Sequence, residues 1–159
     1  MFHVYNAVLV QVPIGCPFSV ATTCLEPCCY SGLFVALRNA DDELHTRSRE
    51  LMKKALKAEF GTVCTSDYII DEAVTTALVR TRRDDLALDN GKYIIESPRI
   101  TKLWTTKETF ELAWQKFQTL KDKPLSFTDC TTLAHMQKNR MKQTLSFNSG
   151  FDGLVQRTY

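Results

Sequence analysis

The stretch "PLSFTDCTTLAHMQ", residues 124–137, joins a short alternating segment to a segment with helical periodicity. Leu125 and Phe127 alternate with polar residues, and a helix is predicted over residues 128–138. Asp129 stands at the junction. Aspartate is a favoured residue at the start of a helix, and its carboxylate is also a good ligand for a divalent metal ion. Asp129 is therefore a candidate cap and a candidate ligand.

The segments on either side of this junction alternate between strand-like and helix-like patterns. Strands are predicted in "GTVCTS", "RITKLWTT" and "QTLSF", and "SGLFVAL" from Ser31 is a strand end or a strand-to-helix junction. Helices are predicted over residues 39–60, 66–83, 84–97 and 107–123, and "GFDGLV" is predicted as a short last turn. Pro27 argues against a strand in "TTCLEPCCY", because proline is a poor member of a central parallel strand.

Two helices carry apolar stripes that predict core-facing sides. In the helix after "GTVCTS", which Ser66 or Asp67 is expected to cap, the stripe is Ile70, Val74, Ala77 and Leu78. In the helix over residues 107–123, the stripe is Phe110, Ala113, Trp114 and Phe117. Its aromatic members, with Trp104, are expected in the core rather than in contact with nucleic-acid bases.

Strands that alternate with helices predict parallel β-α-β units. The expected fold is α/β, a three-layer α/β/α sandwich with a mainly parallel central sheet. Ligands of such sheets bind beyond the carboxyl ends of the strands. Ser31, Glu72, Asp129 and Asn148 would all approach that edge. Taken singly, Glu72 reads as a solvated helix residue and Asn148 as a turn residue, so only their joint placement suggests a site.

Composition separates the first residues from the rest. The chain has 159 residues, 44% of them hydrophobic, and a net charge of +2, which is too weakly basic to indicate nucleic-acid binding alone. Residues 1–37 contain no lysine or arginine and four of the six cysteines. We expect an atypical N-terminal extension over residues 1–28 and one domain over residues 29–159. No secretory signal is expected, because there is no positively charged start.

The six cysteines show no recognisable disulfide spacing. Reduced thiols without a functional role are therefore expected. "CLEPCC" could bind zinc, but no second pair of cysteines or histidines follows at the usual spacing. No apolar run is long enough to cross a membrane.

The order of the stretches "SGLFVALRNADDELHTRSREL", "TSDYIIDEAVT", "PLSFTDCTTLAHM" and "QTLSFNSGF" resembles the PIN domain family, the fold of VapC-type toxin ribonucleases. The resemblance covers the chain from about residue 28 to residue 159. It implies acids around one or two divalent metal ions. Glu72 matches the second acid and Asp129 the third, with Thr128 and Ser31 as supporting residues. Tyr30 stands where the first acid is expected.

Asn148 stands where the fourth acid is expected, and its carbonyl oxygen is a neutral candidate ligand. The resemblance implies a ribonuclease that uses Mg²⁺ or Mn²⁺, with Glu72 and Asp129 catalytic and Asn148 as a third metal ligand. It also implies an RNA substrate, a small antitoxin partner, a homodimer, no membrane association and a cytoplasmic location. The metal would orient the attacking water, lower its pKa and stabilise charge on the phosphate.

Replacement of two acids leaves an alternative, a degenerate and inactive PIN-like module that binds RNA or a protein partner. Another α/β function, such as a small phosphatase or nucleotide binder, has no glycine-rich phosphate loop to support it. Arg80, Arg82 and Arg83 lie in a stretch that is typical of a solvated helix end or turn, and they are candidates for contact with RNA phosphates if the protein is a nuclease. The histidines have no partners at motif spacing, so no catalytic role is predicted for them.

Overall fold

The structure, a computed structural model, describes residues 27–159 and has one five-stranded sheet with six α-helices. In chain order the elements are β1 (Cys28–Cys29), α1 (Ser31–Arg38), α2 (His45–Leu56), β2 (Val63–Ser66), α3 (Asp67–Thr81), α4 (Asp84–Glu96), β3 (Ile100–Leu103), α5 (Lys107–Thr119), α6 (Phe127–Lys138), β4 (Gln143–Leu145) and β5 (Gln156–Thr158), with a 3₁₀ turn (Ser149–Phe151) before β5. The strand order is β3-β2-β1-β4-β5, and every pair is parallel. The predicted α/β sandwich with a parallel central sheet is confirmed.

The central strand is the segment that the sequence argument rejected. β1 lies between β2 and β4, with Cys28 in register with Cys64 and Thr144. Pro27 directly precedes the strand, and its carbonyl oxygen accepts a hydrogen bond from the Cys64 N–H at 3.2 Å. A proline at the first position lacks only its own N–H, so it does not interrupt the ladder. The expectation that Pro27 excludes a strand here was wrong.

The predicted boundary at residue 28 falls inside β1, and the remainder of the predicted extension lies outside the described residues. Ser31 begins α1 without a gap after Tyr30, so "SGLFVAL" is a helix that directly follows the strand. The described region has four cysteines, Cys28, Cys29, Cys64 and Cys130, and all are free and buried.

Helices α3 and α4 pack closely through small and polar residues. Ser66 caps α3 by accepting a hydrogen bond from the Ile69 N–H at 3.3 Å, as predicted. Asn90 is fully buried and donates from Nδ2 to the Ala73 carbonyl at 3.1 Å. A side chain on Gly91 would come within 3.1 Å of Val74 Cγ2, so glycine allows the close approach of the helices.

The buried stripe of α3 differs from the predicted one. Ile69, Ala73 and Ala77 are buried, whereas Leu78 is 40% exposed. Apart from Ala77, which both stripes contain, each buried residue lies one position before the predicted one. The apolar residues of this helix cover a broad face, so their spacing does not show which side of that face is buried. The largest fully buried side chains include Phe34, Phe151, Leu33 and Met52.

The aromatic residues predicted for the core are at the surface. Trp104 is 71% exposed, Trp114 is 48% exposed, and Phe110 and Phe117 are more than 40% exposed. In α5 only Thr109 and Ala113 are buried. The aromatic residues of α5 do share one face of the helix, as predicted, but the described structure covers little of that face, so the expected burial was wrong.

The chain ends in a strand that the sequence pattern did not predict. β5 is in register with β4 from Gln156 opposite Gln143 to Thr158 opposite Leu145. It follows the predicted turn, which is the 3₁₀ segment. Within residues 27–159, none of the helices has the length and apolar character needed to cross a membrane.

Candidate functional site

Four predicted positions meet beyond the carboxyl ends of the central strands. Tyr30 directly follows β1, Glu72 lies in α3 after β2, Asp129 lies in the first turn of α6, and Asn148 follows β4 by three residues. Tyr30 and Glu72 are joined by a hydrogen bond, as are Asn148 and Asp129. The parallel topology therefore brings these side chains together, as expected for the carboxyl edge of such a sheet.

Both carboxylate oxygens of Glu72 accept hydrogen bonds from side-chain hydroxyl groups. The Ser31 hydroxyl donates to Oε2 at 2.6 Å, and the Tyr30 hydroxyl lies 3.4 Å from Oε1 as a longer donor. Ser31 is 4% exposed and Glu72 is partly buried. Hydrogen bonds to an ionised acceptor are shorter and stronger than neutral ones, so the Ser31 contact fixes the carboxylate.

The N-cap of α6 is Ser126 and not Asp129, which is the third residue of the helix and also a member of this cluster. Its Oδ2 accepts from the Ser126 N–H at 2.6 Å, while the Ser126 hydroxyl accepts from the Asp129 N–H at 3.1 Å, which together form a capping box. Its Oδ1 accepts from Asn148 Nδ2 at 3.1 Å. Asp129 is only 2% exposed, so both oxygens are held inside the protein by these donors.

Asn148 is oriented by the turn that it begins. Its Oδ1 accepts from the Gly150 N–H at 2.9 Å, and its Nδ2 then points to Asp129. The amide therefore presents a donor to the carboxylate and uses its carbonyl oxygen for the turn. The carbonyl oxygen that the sequence suggested as a ligand therefore accepts one hydrogen bond from the backbone.

Tyr30 is a neutral, buried group in the middle of the cluster. It is 8% exposed, and its ring packs edge-on against Phe151 with 5.5 Å between ring centroids. Burial raises the pKa of the Tyr30 phenol well above its ordinary value, and the negative charges of Asp129 and Glu72 raise it further. The phenol therefore keeps its proton and acts as a donor to carboxylates.

A groove of about 380 Å³ opens above the cluster. The polar and charged part of its lining includes Tyr30, Ser31, Asp42, Glu72, Arg80 and Asn148, so one cation and two acids face the groove. Thr128, predicted as a supporting residue, contributes its carbonyl oxygen to the hydroxyl groups of Thr131 and Thr132. The predicted supporting role of Thr128 at the site stays a prediction.

The comparisons with known proteins agree with this architecture. The family model described as "PIN domain" matches residues 31–155. The chain belongs to the PIN domain family. The match covers well over half of the chain and includes Glu72, Asp129 and Asn148.

Two solved structures similar to this PIN domain are VapC toxins or contain one. Mycobacterium tuberculosis VapC20, a Sarcin-Ricin loop cleaving toxin, has a TM-score of 0.71 and 23% identity over 81% of this chain and 95% of that chain. VapBC2 from Rickettsia felis, bound to a DNA fragment from their promoter, has a TM-score of 0.55 and 13% identity over 82% and 96%. These identities show a shared fold. None of the curated proteins matches the sequence.

PIN domain proteins generally use divalent metal ions. Among the described residues there is no group of three or more histidine, cysteine, aspartate or glutamate side chains that could hold an ion. Glu72 and Asp129 are present, and each of their four oxygens accepts one hydrogen bond from the protein. One hydrogen bond leaves a second lone pair on each oxygen, so these contacts do not by themselves prevent ligation. The groups beside the two carboxylates are the neutral donors Tyr30 and Asn148 rather than further acids, so the donor set fits a divalent ion poorly.

A second polar cluster lies where α3, the β3–α5 connection and α6 meet. The Thr105 hydroxyl donates to Asp67 Oδ1 at 2.6 Å and lies 3.0 Å from His135 Nε2. Burial lowers the pKa of His135, and Lys138 also lowers it, whereas Asp67 raises it. No sequence pattern predicts this contact, since its members are 30 or more residues apart.

The sequence did contain one signal for the geometry of the site. Ser126 precedes Asp129 by three residues, the spacing of a capping box. That spacing predicts that one oxygen of Asp129 is used by the backbone. The donor from Asn148 could not be predicted in this way, because it depends on how the turn after β4 is folded.

Proposed function

We propose that this protein is a PIN domain that binds RNA without cleaving it by a metal-dependent reaction. The observation that carries the proposal is the closed hydrogen-bond cluster. Tyr30 donates to Glu72, and Asn148 donates to Asp129. If acids stood at positions 30 and 148, they would not donate to these carboxylates and could share a metal ion with them. A neutral donor satisfies a buried carboxylate, so the cluster is stable without an ion.

The proposal of RNA as the ligand rests on the family and on the chemistry of the groove. VapC20, with a similar fold, is a Sarcin-Ricin loop cleaving toxin. The resemblance implies that the neutral side chains of Tyr30 and Asn148 stand at two of the four family acids, so less negative charge would repel phosphates than with four acids. Arg80 lines the same groove and is exposed. Binding of RNA depends strongly on such phosphate contacts.

The proposal is tested with purified protein, RNA and Mg²⁺ or Mn²⁺. The unmodified chain is expected to bind RNA in an anisotropy assay and to leave it intact in both metals. The double variant Tyr30→Asp/Asn148→Asp is expected to gain metal-dependent cleavage, because it restores an acid at each replaced position. Adding Asp129→Asn to that double variant is the matched control and should abolish the gained activity. Cleavage by the unmodified chain that Glu72→Gln abolishes would refute the proposal.

A second candidate is an active Mg²⁺- or Mn²⁺-dependent ribonuclease, favoured by the retention of both Glu72 and Asp129 at the sheet edge. Mg²⁺ can be bound by one or two carboxylates together with substrate phosphates. In this case RNA itself would have to supply ligands and displace the Tyr30 and Asn148 donors. The cleavage assay separates the two candidates, since this one predicts activity that is lost in Glu72→Gln.

The proposal includes a small antitoxin as protein partner and a homodimer, in the cytoplasm. A groove of about 630 Å³ between α1, α2 and α4 supports a peptide partner. Leu37, Met52 and Leu56 provide apolar lining, and Arg49 and Lys53 provide positive charge. These features suit an amphipathic segment with acidic residues. Co-purification with an antitoxin encoded beside this chain, lost on Leu56→Glu but retained on Lys121→Glu, is the expected result.

A further inference from the structure

Three sulfur-containing side chains meet towards the amino-terminal edge of the sheet, away from the candidate site. Cys28 begins β1, Cys64 is the second residue of β2, and Met141 precedes β4 by two residues. Cys28 and Cys64 are in register on neighbouring parallel strands, so their side chains lie side by side on one face of the sheet. The Cys64 thiol contacts the Met141 thioether, with 3.2 Å between Sγ and Sδ. We refer to these three side chains as the sulfur cluster.

The sulfur cluster is buried and its two thiols are free. Cys28 and Cys64 have almost no exposed surface, and Met141 is 6% exposed. The single hydrogen of the Cys64 thiol has two acceptors within reach, Met141 Sδ and, at 3.4 Å, the Pro27 carbonyl oxygen. A hydrogen bond with the Cys64 thiol, together with burial, raises the pKa of the Cys28 thiol. The Cys28 thiol therefore keeps its proton, and a ligand of the cluster has to displace it.

The spacing of the two cysteines favours a shared ion over a disulfide. Side chains in register on neighbouring strands begin about 4.8 Å apart, whereas the Cβ atoms of a disulfide are typically about 3.8 Å apart. A disulfide would therefore have to pull β1 and β2 together at the centre of the sheet. An ion that bridges the two sulfur atoms requires no such movement.

We propose that the sulfur cluster binds Cu⁺ through the Sγ atoms of Cys28 and Cys64 and the Sδ atom of Met141. Thiolate and thioether sulfur atoms are soft ligands, which select Cu⁺. The ion displaces the protons of both thiols, so two protons are released and no electron is transferred. The bound site holds one Cu⁺ and two thiolates and carries one net negative charge. This assigns a role to two thiols for which the sequence predicted none.

The composition of the cluster argues against Zn²⁺, the other ion that cysteines commonly bind. Structural zinc sites have four ligands, which are cysteine, histidine or carboxylate side chains. Within residues 27–159, no further histidine, cysteine, aspartate or glutamate joins Cys28 and Cys64 in a group that could hold an ion. The third sulfur belongs to methionine, which is not among the usual zinc ligands.

A groove gives an ion access to the sulfur cluster. It has a volume of about 480 Å³, lies beside the starts of β4 and β5, and is lined by Met141, Leu154 and Val155 among others. Met141 is the member of the cluster that lines this groove. An ion that enters the groove therefore meets the thioether first, which binds without losing a proton, and reaches the two thiols behind it.

The experiment measures Cu⁺ binding to the reduced full chain, without oxygen, by competition with a coloured Cu⁺ chelator. Cys16 and Cys24 lie outside the described residues, so both are replaced by serine in every protein that is compared. This parent protein is expected to bind a single Cu⁺. Cys64→Ala should abolish the binding. Met141→Leu keeps the side-chain volume and removes the sulfur, and it should weaken binding by at least about tenfold, the loss typical of residues that only support a metal ligand.

Two matched controls change buried sulfur atoms elsewhere. Cys29→Ala removes a thiol from the other face of β1, because successive residues of a strand point to opposite faces. Met52→Leu makes the same exchange as Met141→Leu at a buried methionine of α2. Both variants are expected to bind Cu⁺ as the parent protein does.

X-ray absorption at the copper edge gives a second readout that needs no variant, so it decides the question even if Cys64→Ala or Met141→Leu fails to fold. Three sulfur neighbours around the ion are expected in the parent protein. Nitrogen or oxygen neighbours, equal affinity of the parent protein and folded Met141→Leu, or tight binding of Zn²⁺ in place of Cu⁺ would each overturn the inference. RNA binding plays no part in these outcomes, so they leave the proposed function untouched.

Discussion

Replacing Asn148 by aspartate tests the hydrogen-bond cluster directly. Asn148 Nδ2 donates to Asp129 Oδ1 at 3.1 Å, whereas its Oδ1 accepts from Gly150. Asn148→Asp keeps the acceptor for Gly150 and replaces the donor by a second carboxylate oxygen. At the observed separation, two unit charges repel by about 5 kcal/mol at an effective dielectric constant of about 20.

Two effects reduce this repulsion. The introduced side chain can turn towards the groove, and at pH 7 protonation of a carboxyl with a reference pKa of about 3.9 limits the loss to about 4 kcal/mol. We therefore expect Asn148→Asp to lower the free energy of unfolding by about 2–4 kcal/mol at pH 7. For a chain of this size the melting temperature should fall by about 5–15 °C.

The assay is thermal and urea unfolding of the unmodified chain and of Asn148→Asp at pH 7 and pH 4. The deficit should shrink at pH 4, because a protonated carboxyl no longer repels its neighbour. Ser149→Asp is the matched control, since it adds the same charge one residue along at an exposed position. Equal stability of Asn148→Asp and Ser149→Asp at pH 7 would refute the proposed geometry of the cluster.

Three further predictions concern the surroundings of the site. Ser31→Ala removes the 2.6 Å hydrogen bond to Glu72 and should cost about 1–2 kcal/mol in urea unfolding, while Ser149→Ala should change stability by less than about 0.5 kcal/mol. Phe151→Ala removes a fully buried ring that packs on Tyr30 and should lower the free energy of unfolding by about 3–5 kcal/mol. Val79→Ala, at an exposed position, is the control and should change it little. A loss below about 1 kcal/mol for Phe151→Ala would contradict the packing. Burial lowers the pKa of His135, so the unfolded chain binds a proton that the folded chain resists. Stability should therefore fall as the pH drops below about 6.5, and the fall should be smaller in His135→Gln; parallel curves of the urea midpoint against pH would exclude this role.

Local patterns were sufficient to predict most elements of the fold. β2, β3 and β4 lie in the predicted apolar segments, and α3 begins at the predicted cap, Ser66. These features depend on side-chain alternation, helical spacing and capping, which are all determined by residues close together in the sequence. The alternation of strands and helices then limits the topology to a parallel sheet.

The first and last strands were missed because neither segment carries a strand pattern of its own. β1 has only two residues directly after a proline, and β5 consists of three polar residues. Pairing with β2 and β4 decides the conformation of β1, and pairing with β4 decides that of β5. The expectation that Pro27 excludes a strand was wrong because it also ignored strand pairing. The effect of a proline depends on whether its N–H position faces a partner strand, which is a property of the sheet rather than of the local sequence.

The proximity of the candidate residues was predictable, whereas the hydrogen bonds between them were not. The family resemblance identified the positions of Tyr30, Glu72, Asp129 and Asn148. The direction in which each polar group donates depends on contacts across the fold, such as that between Tyr30 and Glu72, 42 residues apart. The exposed rings of α5 show the same limit, since helical spacing says which residues share a face and not whether another element covers it.

Titration calorimetry with Mn²⁺ tests the central claim most directly, because it measures the ion rather than a reaction. The unmodified chain is predicted to give no binding heat up to millimolar Mn²⁺, since only two carboxylates, those of Glu72 and Asp129, meet there and both accept from neutral donors. The variant Tyr30→Asp/Asn148→Asp is predicted to bind the ion and to lose that binding when Asp129→Asn is added. Binding of Mn²⁺ by the unmodified chain that Glu72→Gln abolishes would contradict the account.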